Sequence, residues 1–389
     1  MKRKPSFWPL IVAVLIGFIL GTFSRQIPAQ NRDATTEPGQ DAPPPSPVRN
    51  AGDLQQLSAT YAAIARSVTP AVVNINSQQI IPGRVLRDPF SEFFGDPSGG
   101  MFREPDRRSQ SLGSGVIVDT RGIIITNNHV VRNASSITVT LSDRRRFSAK
   151  IVGVDPPSDV AVLKIEGDKL PALKWVDSNQ LQVGDIVLAI GSPFNLASTV
   201  TQGIISAKGR RDLGISAYED FLQTDAAINP GNSGGALVDI QGNLIGINTA
   251  ILSESGGNQG IGLAIPANVA RKISGQLLAS GQVTRGWLGV VVEPVTEDIA
   301  RQFGLTAAQG VVVTGIYTRG PAGKLNWSAT GGDVILKANN TPIDSPGQLR
   351  NMVADLAPGT KLTLQVWQNG RTQDFTLTVG TRTGRVQGV

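Results

Sequence analysis

The sequence predicts a mainly β protein: an antiparallel sandwich or barrel region long enough for two small barrels, then a second β-rich domain, all behind a membrane-spanning helix. Three observations carry this. From Leu112 to about Ala267 short apolar runs alternate with Gly, Asp, Asn and Pro. After Gly281 the spacing of runs and turns changes for about a hundred residues. Near the start, Phe7 to Phe23 is an uncharged apolar run of 17 residues. A chain of 389 residues has room for two or three domains.

The apolar run follows Lys2, Arg3 and Lys4 and precedes a single Arg25. At 1.5 Å per residue it spans roughly 25 Å, the low end for a bilayer crossing. Its charge asymmetry puts the N-terminus in the cytoplasm and the rest outside. A cleaved signal peptide would have a shorter apolar core and an Ala-x-Ala site, and none follows here. A retained anchor over 1–24 is the expectation, with cleavage to a soluble form as the alternative. Residues 25–52, with Pro43-Pro44-Pro45-Ser46-Pro47, read as a semi-extended linker. Asp53 is an N-cap candidate for a helix with Leu54, Leu57, Tyr61, Ile64 and Val68 on one face, ending near Pro70. The strand 71–75 follows, then a Pro/Gly/Arg-rich stretch from about 80 to 110 that reads as a long loop carrying Phe90, Phe93 and Phe94.

Strands are expected at 115–118, 123–125, 137–140, 161–165, 186–190 and 244–247, with a helix only at 267–280. Beyond Gly281, strands are expected at 287–292, 310–314 and 332–336, and a helix at 346–354. A hairpin, 361–367 with 374–379, turns at Asn369-Gly370.

Composition removes several functions. With no cysteine there is no disulfide framework and no thiolate-ligated metal, and one histidine makes a transition-metal site improbable. No cofactor is expected. The net charge of +6 is scattered over short Arg clusters without interleaved aromatics, which argues against nucleic acid.

That one histidine, His129, lies in Thr126-Asn127-Asn128-His129-Val130-Val131, and Ser233 sits in Gly231-Asn232-Ser233-Gly234-Gly235. Serine is a poor nucleophile until a base takes its proton and an acid orients that base. Gly-x-Ser-x-Gly also marks α/β-hydrolases, but those place histidine after serine, and none follows here. A subtilisin order needs alternating β and α patterns, which are absent. The order His, Asp, Ser fits. Of nine aspartates between the two residues, Asp159 leads straight into the apolar run Val160 to Leu163; Asp185 and Asp225 are weaker candidates. Glycines around Ser233 let the backbone aim the amides of Gly231 and Ser233 at a developing oxyanion.

Together, Thr126 to Val131, Ser158 to Ile165 and Gly231 to Leu237 resemble the three triad blocks of the HtrA/Deg serine proteases. The steps of 30 residues (159 minus 129) and 74 residues (233 minus 159) are similar too. Leu112 to Ile117, Gly203 to Ser206, Phe221 to Ala226 and Arg285 to Val290 match further blocks, and the resemblance covers roughly 55–380. It implies a trypsin-like double six-stranded β-barrel over 53–280 and a PDZ domain over 281–383. An anchor plus one C-terminal module resembles the membrane-tethered, DegS-like branch. The implied activity is an ATP-independent serine endopeptidase of the bacterial envelope, held in the inner membrane with its catalytic part in the periplasm. Its substrates would be misfolded or regulatory proteins cut after small aliphatic residues. Catalysis would fall to His129, Asp159 and Ser233, the oxyanion site to Gly231 and Ser233, and the substrate pocket to Ala226, Ile228, Asn229, Ile251 and Leu252. Gly286, Trp287, Leu288 and Gly289 would receive a peptide C-terminus by strand addition. A homotrimer, with a sensor loop around Arg210–Asp220, is also implied. The PDZ match departs at Gly323 to Asp333, where the family usually has a short Ala-Gly helix. A non-proteolytic chaperone or peptide-binding scaffold is the alternative, disfavoured because it would need no triad.

Overall fold

The computed structural model describes residues 51–81, 85–87, 101–103, 107–193, 198–252, 258–328 and 332–381. The apolar run Phe7 to Phe23, most of the linker, and Phe90, Phe93 and Phe94 lie outside the described residues. Among the described residues no helix is long and apolar enough to cross a membrane.

Helix α1 (Ala51–Val68) begins two residues before Asp53, which therefore lies in its first turn instead of capping it. Its apolar stripe engages the core only toward the C-terminal end: Ile64 and Val68 are buried and Tyr61 packs beside them, whereas Leu54 and Leu57 are exposed. Pro70 lacks an amide proton to continue the helix, which gives way to a tight turn over Thr69–Ala71.

Strands β1 (Val72–Ile81), β2 (Val85–Arg87), β3 (Met101–Arg103), β4 (Arg107–Asp119) and β5 (Ile123–Asn127) come next. After a single helical turn, α2 (Asn128–Val131), follow β6 (Ser136–Thr140), β7 (Arg146–Ser148), β8 (Lys150–Asp155) and β9 (Val160–Lys164). All except β2 and β3 form one sheet in the order β7-β6-β1-β4-β5-β9-β8. By pairing this is a seven-stranded sheet, not the expected six-stranded barrel. Its edge strands β7 and β8 are separated only by Ala149, whose amide bonds the Ile137 carbonyl at 3.0 Å. One bent run of chain supplies both edges, so counted as a single strand it restores six.

The stretch 80–110 is also less loop-like than expected. β1 and β4 stay paired out to Ile81 opposite Arg107, and β2 pairs β3 beyond them. Ladder bonds come from the backbone, so a hairpin can outrun the apolar pattern that would announce it.

The second barrel closes in the order β10-β11-β12-β15-β14-β13, from β10 (Ile186–Gly191), β11 (Thr199–Arg210), β12 (Phe221–Thr224), β13 (Ala236–Val238), β14 (Leu244–Ile251) and β15 (Gly262–Pro266). Alternation explains why several strands are apolar on both faces. Ile124, Ala161 and Leu163 fill the first barrel, while Ile123, Ile125, Val160 and Val162 turn outward against Leu188, Ile190, Val238 and Ile247 of the second. The seam between barrels is thus a hydrophobic core in its own right. Helix α3 (Ala267–Ser280) lays Ala270, Ile273 and Leu277 onto that core and ends at Gly281, which takes the left-handed conformation at φ 73°.

The C-terminal unit contains β16 (Gly286–Trp287), β17 (Val290–Pro294), α4 (Glu297–Gln302), β18 (Val311–Ile316), β19 (Val334–Ala338), β20 (Thr341–Pro342), α5 (Pro346–Asp355), β21 (Lys361–Gln368), β22 (Arg371–Thr378) and β23 (Gly380–Thr381). Its main sheet runs β17-β18-β19-β21-β22, with β20 on β19, and β16 pairs β23. The hairpin turn is as the sequence predicts, with positive φ at Asn369 and Gly370. The single strand expected over 287–292 breaks at Leu288-Gly289, because Gly289 takes φ +81°. Thr296 caps the unexpected α4 through the amide of Ile299, and Ser345 caps α5 through that of Gln348.

Leu163, fully buried inside the first barrel, tests this packing. Leu163→Ala should cost about 2–5 kcal/mol, read as a lower urea midpoint. Ile151, its cross-strand partner, is 43% exposed, and Ile151→Ala should cost under about 1 kcal/mol.

Candidate active site

Three chain segments meet where the barrels face each other. β5 ends at Asn127, and the single turn of α2 presents His129. Pro156 and Pro157 tighten the chain into a short turn that Asp159 terminates in the left-handed conformation, φ 57°. A side chain at that φ costs about 1–2 kcal/mol. The conformation is held from two sides, because the Asp159 carbonyl accepts the Asn128 amide at 3.0 Å and Asn127 Nδ2 at 3.1 Å. Both carboxylate oxygens are thereby turned to the histidine. Oδ1 accepts the His129 amide at 2.9 Å, and Oδ2 lies 2.6 Å from Nδ1. The His129 side chain is 44% exposed and that of Asp159 only 14%, so the carboxylate is sheltered while the imidazole stays open. A proton kept on Nδ1 leaves Nε2 as the acceptor. The weaker candidates have other partners: Asp185 accepts the Gln182 amide in a turn, and Asp225 accepts that of Ile204 in β11.

Ser233 is delivered by the link from β12 to β13. Its carbonyl accepts the Ser114 amide of β4 at 2.8 Å, and the next amide, Gly234, donates to Asn248 of β14 at 2.7 Å. Beside it, Asn127 Nδ2 donates to Thr249 Oγ1 at 3.0 Å, so β5 and β14 are stitched together at the histidine. Gly231 has φ +100°, which favours glycine, and at Gly234 a Cβ would meet the Ser114 carbonyl at 2.1 Å. The amides of Gly231 and Ser233 have no acceptor among the described residues, whereas those of Asn232, Gly234 and Gly235 are all bonded. The two unpaired N–H groups are thus that of Ser233 itself and that of Gly231 two residues before it. Ser233 Oγ and His129 Nε2 share no hydrogen bond here; in unliganded sites such bonds are commonly long.

The residues expected to line the pocket separate by burial. Ala226 and Ile228 are 0% and 1% exposed and belong to the interior of the second barrel, with Val187, Ile205 and Leu237. Beyond the end of β12 at Thr224 these two side chains are buried, and they offer no surface to a ligand. Asn229 is exposed, and Ile251 and Leu252 are half-buried. Asn258 ties the two segments together by donating Nδ2 to the Ile228 carbonyl at 3.2 Å.

In the C-terminal unit, Gly286 and Trp287 are committed to the pairing of β16 with β23, and Leu288 is buried in the core. The amides of Leu288 and Gly289 have no acceptor among the described residues. They lie at the start of β17, an edge strand of the main sheet. Among the described residues of the departing segment only a short turn, Pro321–Lys324, is helical, and buried Asp333 accepts the Ser328 amide at 2.7 Å.

Helix α5 docks on the 211–220 loop. Gly347 donates to Asp212 Oδ2, Arg350 to the Ala217 carbonyl and Asn351 to the Glu219 carbonyl. Glu219 is buried and accepts the amides of Leu213, Ile215 and Ser216, which shapes the loop. From the same loop the Tyr218 amide reaches Pro157, in the turn before Asp159. Arg285, stacked over Tyr218, makes a buried bidentate pair with Asp155 just before that turn.

A family model described as the trypsin-like peptidase domain matches residues 113–247, and one described as the PDZ domain matches 286–379. A protein of Chlamydia trachomatis named "Probable periplasmic serine endoprotease DegP-like" is 42% identical over 84% of this chain and 69% of its own length. The protein of the same name from Ectopseudomonas mendocina is 45% identical over 82% of this chain and 70% of its own. The chain belongs to the HtrA family of serine proteases. Among solved structures, the HtrA-type protease AlgW with a decapeptide superposes with a TM-score of 0.69 at 43% identity, over 84% of this chain and 99% of that one. The serine endoprotease from Yersinia pestis gives 0.58 at 36% identity, over 82% and 97%. This HtrA chain is thus a serine endopeptidase with a trypsin-like domain and a PDZ domain.

Motif reading singled out His129, Asp159 and Ser233 but assigned nothing to Ser114, Asn127 or Thr249. Ser114 and Asn127 stand inside motifs already singled out, yet their partners are 117 and 122 residues away in sequence.

Proposed function

We propose that Ser233 is the nucleophile, His129 the general base and then acid, and Asp159 the group that orients His129. The observation that carries this is the two-point hold of Asp159 on His129. Ser233 Oγ attacks the scissile carbonyl carbon as its proton passes to His129 Nε2. The amides of Gly231 and Ser233 receive the carbonyl oxygen as it becomes an oxyanion. His129 returns the proton to the leaving amine, and water, activated the same way, then frees the acyl group from Ser233. Asp159 keeps its bond to Nδ1 and holds the imidazolium in place.

The pocket for the residue before the cut falls to Ile251, Leu252 and the exposed rim at Asn229, which favours small aliphatic side chains. The N-terminal run Phe7 to Phe23 anchors the chain in the inner membrane, with the catalytic part in the periplasm, the compartment named for both relatives. Three copies assemble, as the family resemblance implies. The substrates are misfolded or regulatory proteins.

A peptide C-terminus adds to β17 with its carboxylate at the amides of Leu288 and Gly289. The docking of α5 on the 211–220 loop connects that event to the turn before Asp159. Peptides with a free carboxyl terminus should therefore raise the cleavage rate of an unfolded protein several-fold, and amidated versions should not. Equal rates across both series would remove the regulatory part. Mapping the fragments by mass spectrometry tests the pocket; cuts mainly after charged residues would refute it. A fluorophosphonate probe that fails to label Ser233 would return the peptide-binding scaffold.

A further inference from the structure

Ser114 is fully buried, and its hydroxyl donates to the Gly231 carbonyl at 2.6 Å. The direction of donation is settled by the other partner, since the Ser192 amide donates into the same oxygen at 2.8 Å. Asn74 Nδ2 in turn holds the Ser192 carbonyl at 2.7 Å. The peptide unit between Gly231 and Asn232 is therefore held at both ends, its oxygen by Ser114 and its N–H by the Asn229 carbonyl at 2.9 Å. A peptide plane gripped at both ends cannot rotate without breaking two bonds. Two residues on, the Ser114 amide holds the Ser233 carbonyl at 2.8 Å. One residue of the first barrel thus takes the carbonyls of Gly231 and Ser233, the two residues whose amides are left free. Without the Ser114 bond only the Asn232 amide would hold this plane, and Gly231, at φ +100°, has the backbone freedom to let it turn.

We infer that Ser114 is a positioning residue for the oxyanion site: its hydroxyl fixes the peptide joining Gly231 to Asn232, and so sets the two flanking peptides that carry the amides of Gly231 and Ser233 toward the substrate. Residue 114 touches no substrate and acts only through this peptide. The inference rests on the assignment of Ser233 as nucleophile. Losing one oxyanion donor typically costs about 100- to 1,000-fold in rate. A freed peptide that still samples the right orientation should cost about 10- to 100-fold.

The test compares a peptide aldehyde with the corresponding alcohol as inhibitors of the full-length chain. With the aldehyde, Ser233 Oγ bonds to the carbonyl carbon, the C=O π bond opens, and the serine proton is relayed through His129 to the new hemiacetal oxygen. That oxygen lies at the two amides, whereas the alcohol forms no adduct. Ser114→Ala should lose about 10- to 100-fold of the aldehyde preference, and the same factor in kcat with KM within about twofold. Alcohol affinity should hold within about twofold. A folded S114A with the wild-type preference overturns the proposal. If S114A does not fold, Ser114→Cys keeps the shape with a weaker donor, and its preference should fall between wild type and none; an unchanged preference there overturns it equally. Wild type without aldehyde preference, or one that survives Ser233→Ala, would instead defeat the nucleophile assignment and this proposal with it.

Discussion

Ser233→Ala should abolish cleavage of an unfolded protein by the full-length chain, with kcat falling on the order of a millionfold, about 8 kcal/mol of barrier. The size of the loss follows from the chemistry. Alanine leaves the two amides of the oxyanion site and the His129–Asp159 pair in place, but no oxygen remains for His129 to activate. Ser233 is only half-buried and its carbonyl bond to Ser114 is made by the backbone, so the variant should fold. Unchanged melting with no cleavage is the expected pair of results. Retention of more than about 1% of the wild-type rate, far above a millionfold loss, would mean that another group attacks the peptide.

Asp159→Asn should lower kcat by about ten-thousandfold, with KM little changed. The amide is isosteric and can still accept the His129 amide through its oxygen, so the turn should survive. Its NH2 group, however, must donate to His129 Nδ1, where the carboxylate oxygen Oδ2 now sits at 2.6 Å. That pushes the imidazole proton to Nε2, the atom that must accept from Ser233. The base is present in the wrong tautomer, and no negative charge balances the imidazolium. A loss smaller than about tenfold would show that His129 is oriented by something else, and would strip Asp159 of its role. The two variants also separate binding from chemistry, because neither changes Asn229, Ile251 or Leu252.

Legibility in the sequence followed the range of the forces involved. His129 could be named because it has no competitor of its type, and Ser233 because glycines at 231 and 234 announce a backbone that side chains would obstruct. The hairpin at Asn369-Gly370 and the helix at 267–280 are local, set by turn chemistry and periodicity, and both formed as expected. Contacts between distant segments were not legible. Nothing in Leu112 to Ile117 states that the Ser114 hydroxyl meets residue 231, or that Asn127 joins β14. The extension of β1 and β4 to Ile81 and Arg107 rests on backbone bonds that leave no trace in side-chain pattern.

The pocket shows the same division in reverse. Ala226 and Ile228 have the small apolar character a pocket needs, but an apolar residue suits a barrel interior equally well, and burial went to the interior. The sequence by itself determined which groups are available for catalysis and the order in which the chain presents them. The tertiary structure alone decided which of them meet, because the seam between two barrels brings β4, β5 and β14 around one serine through bonds that span more than a hundred residues.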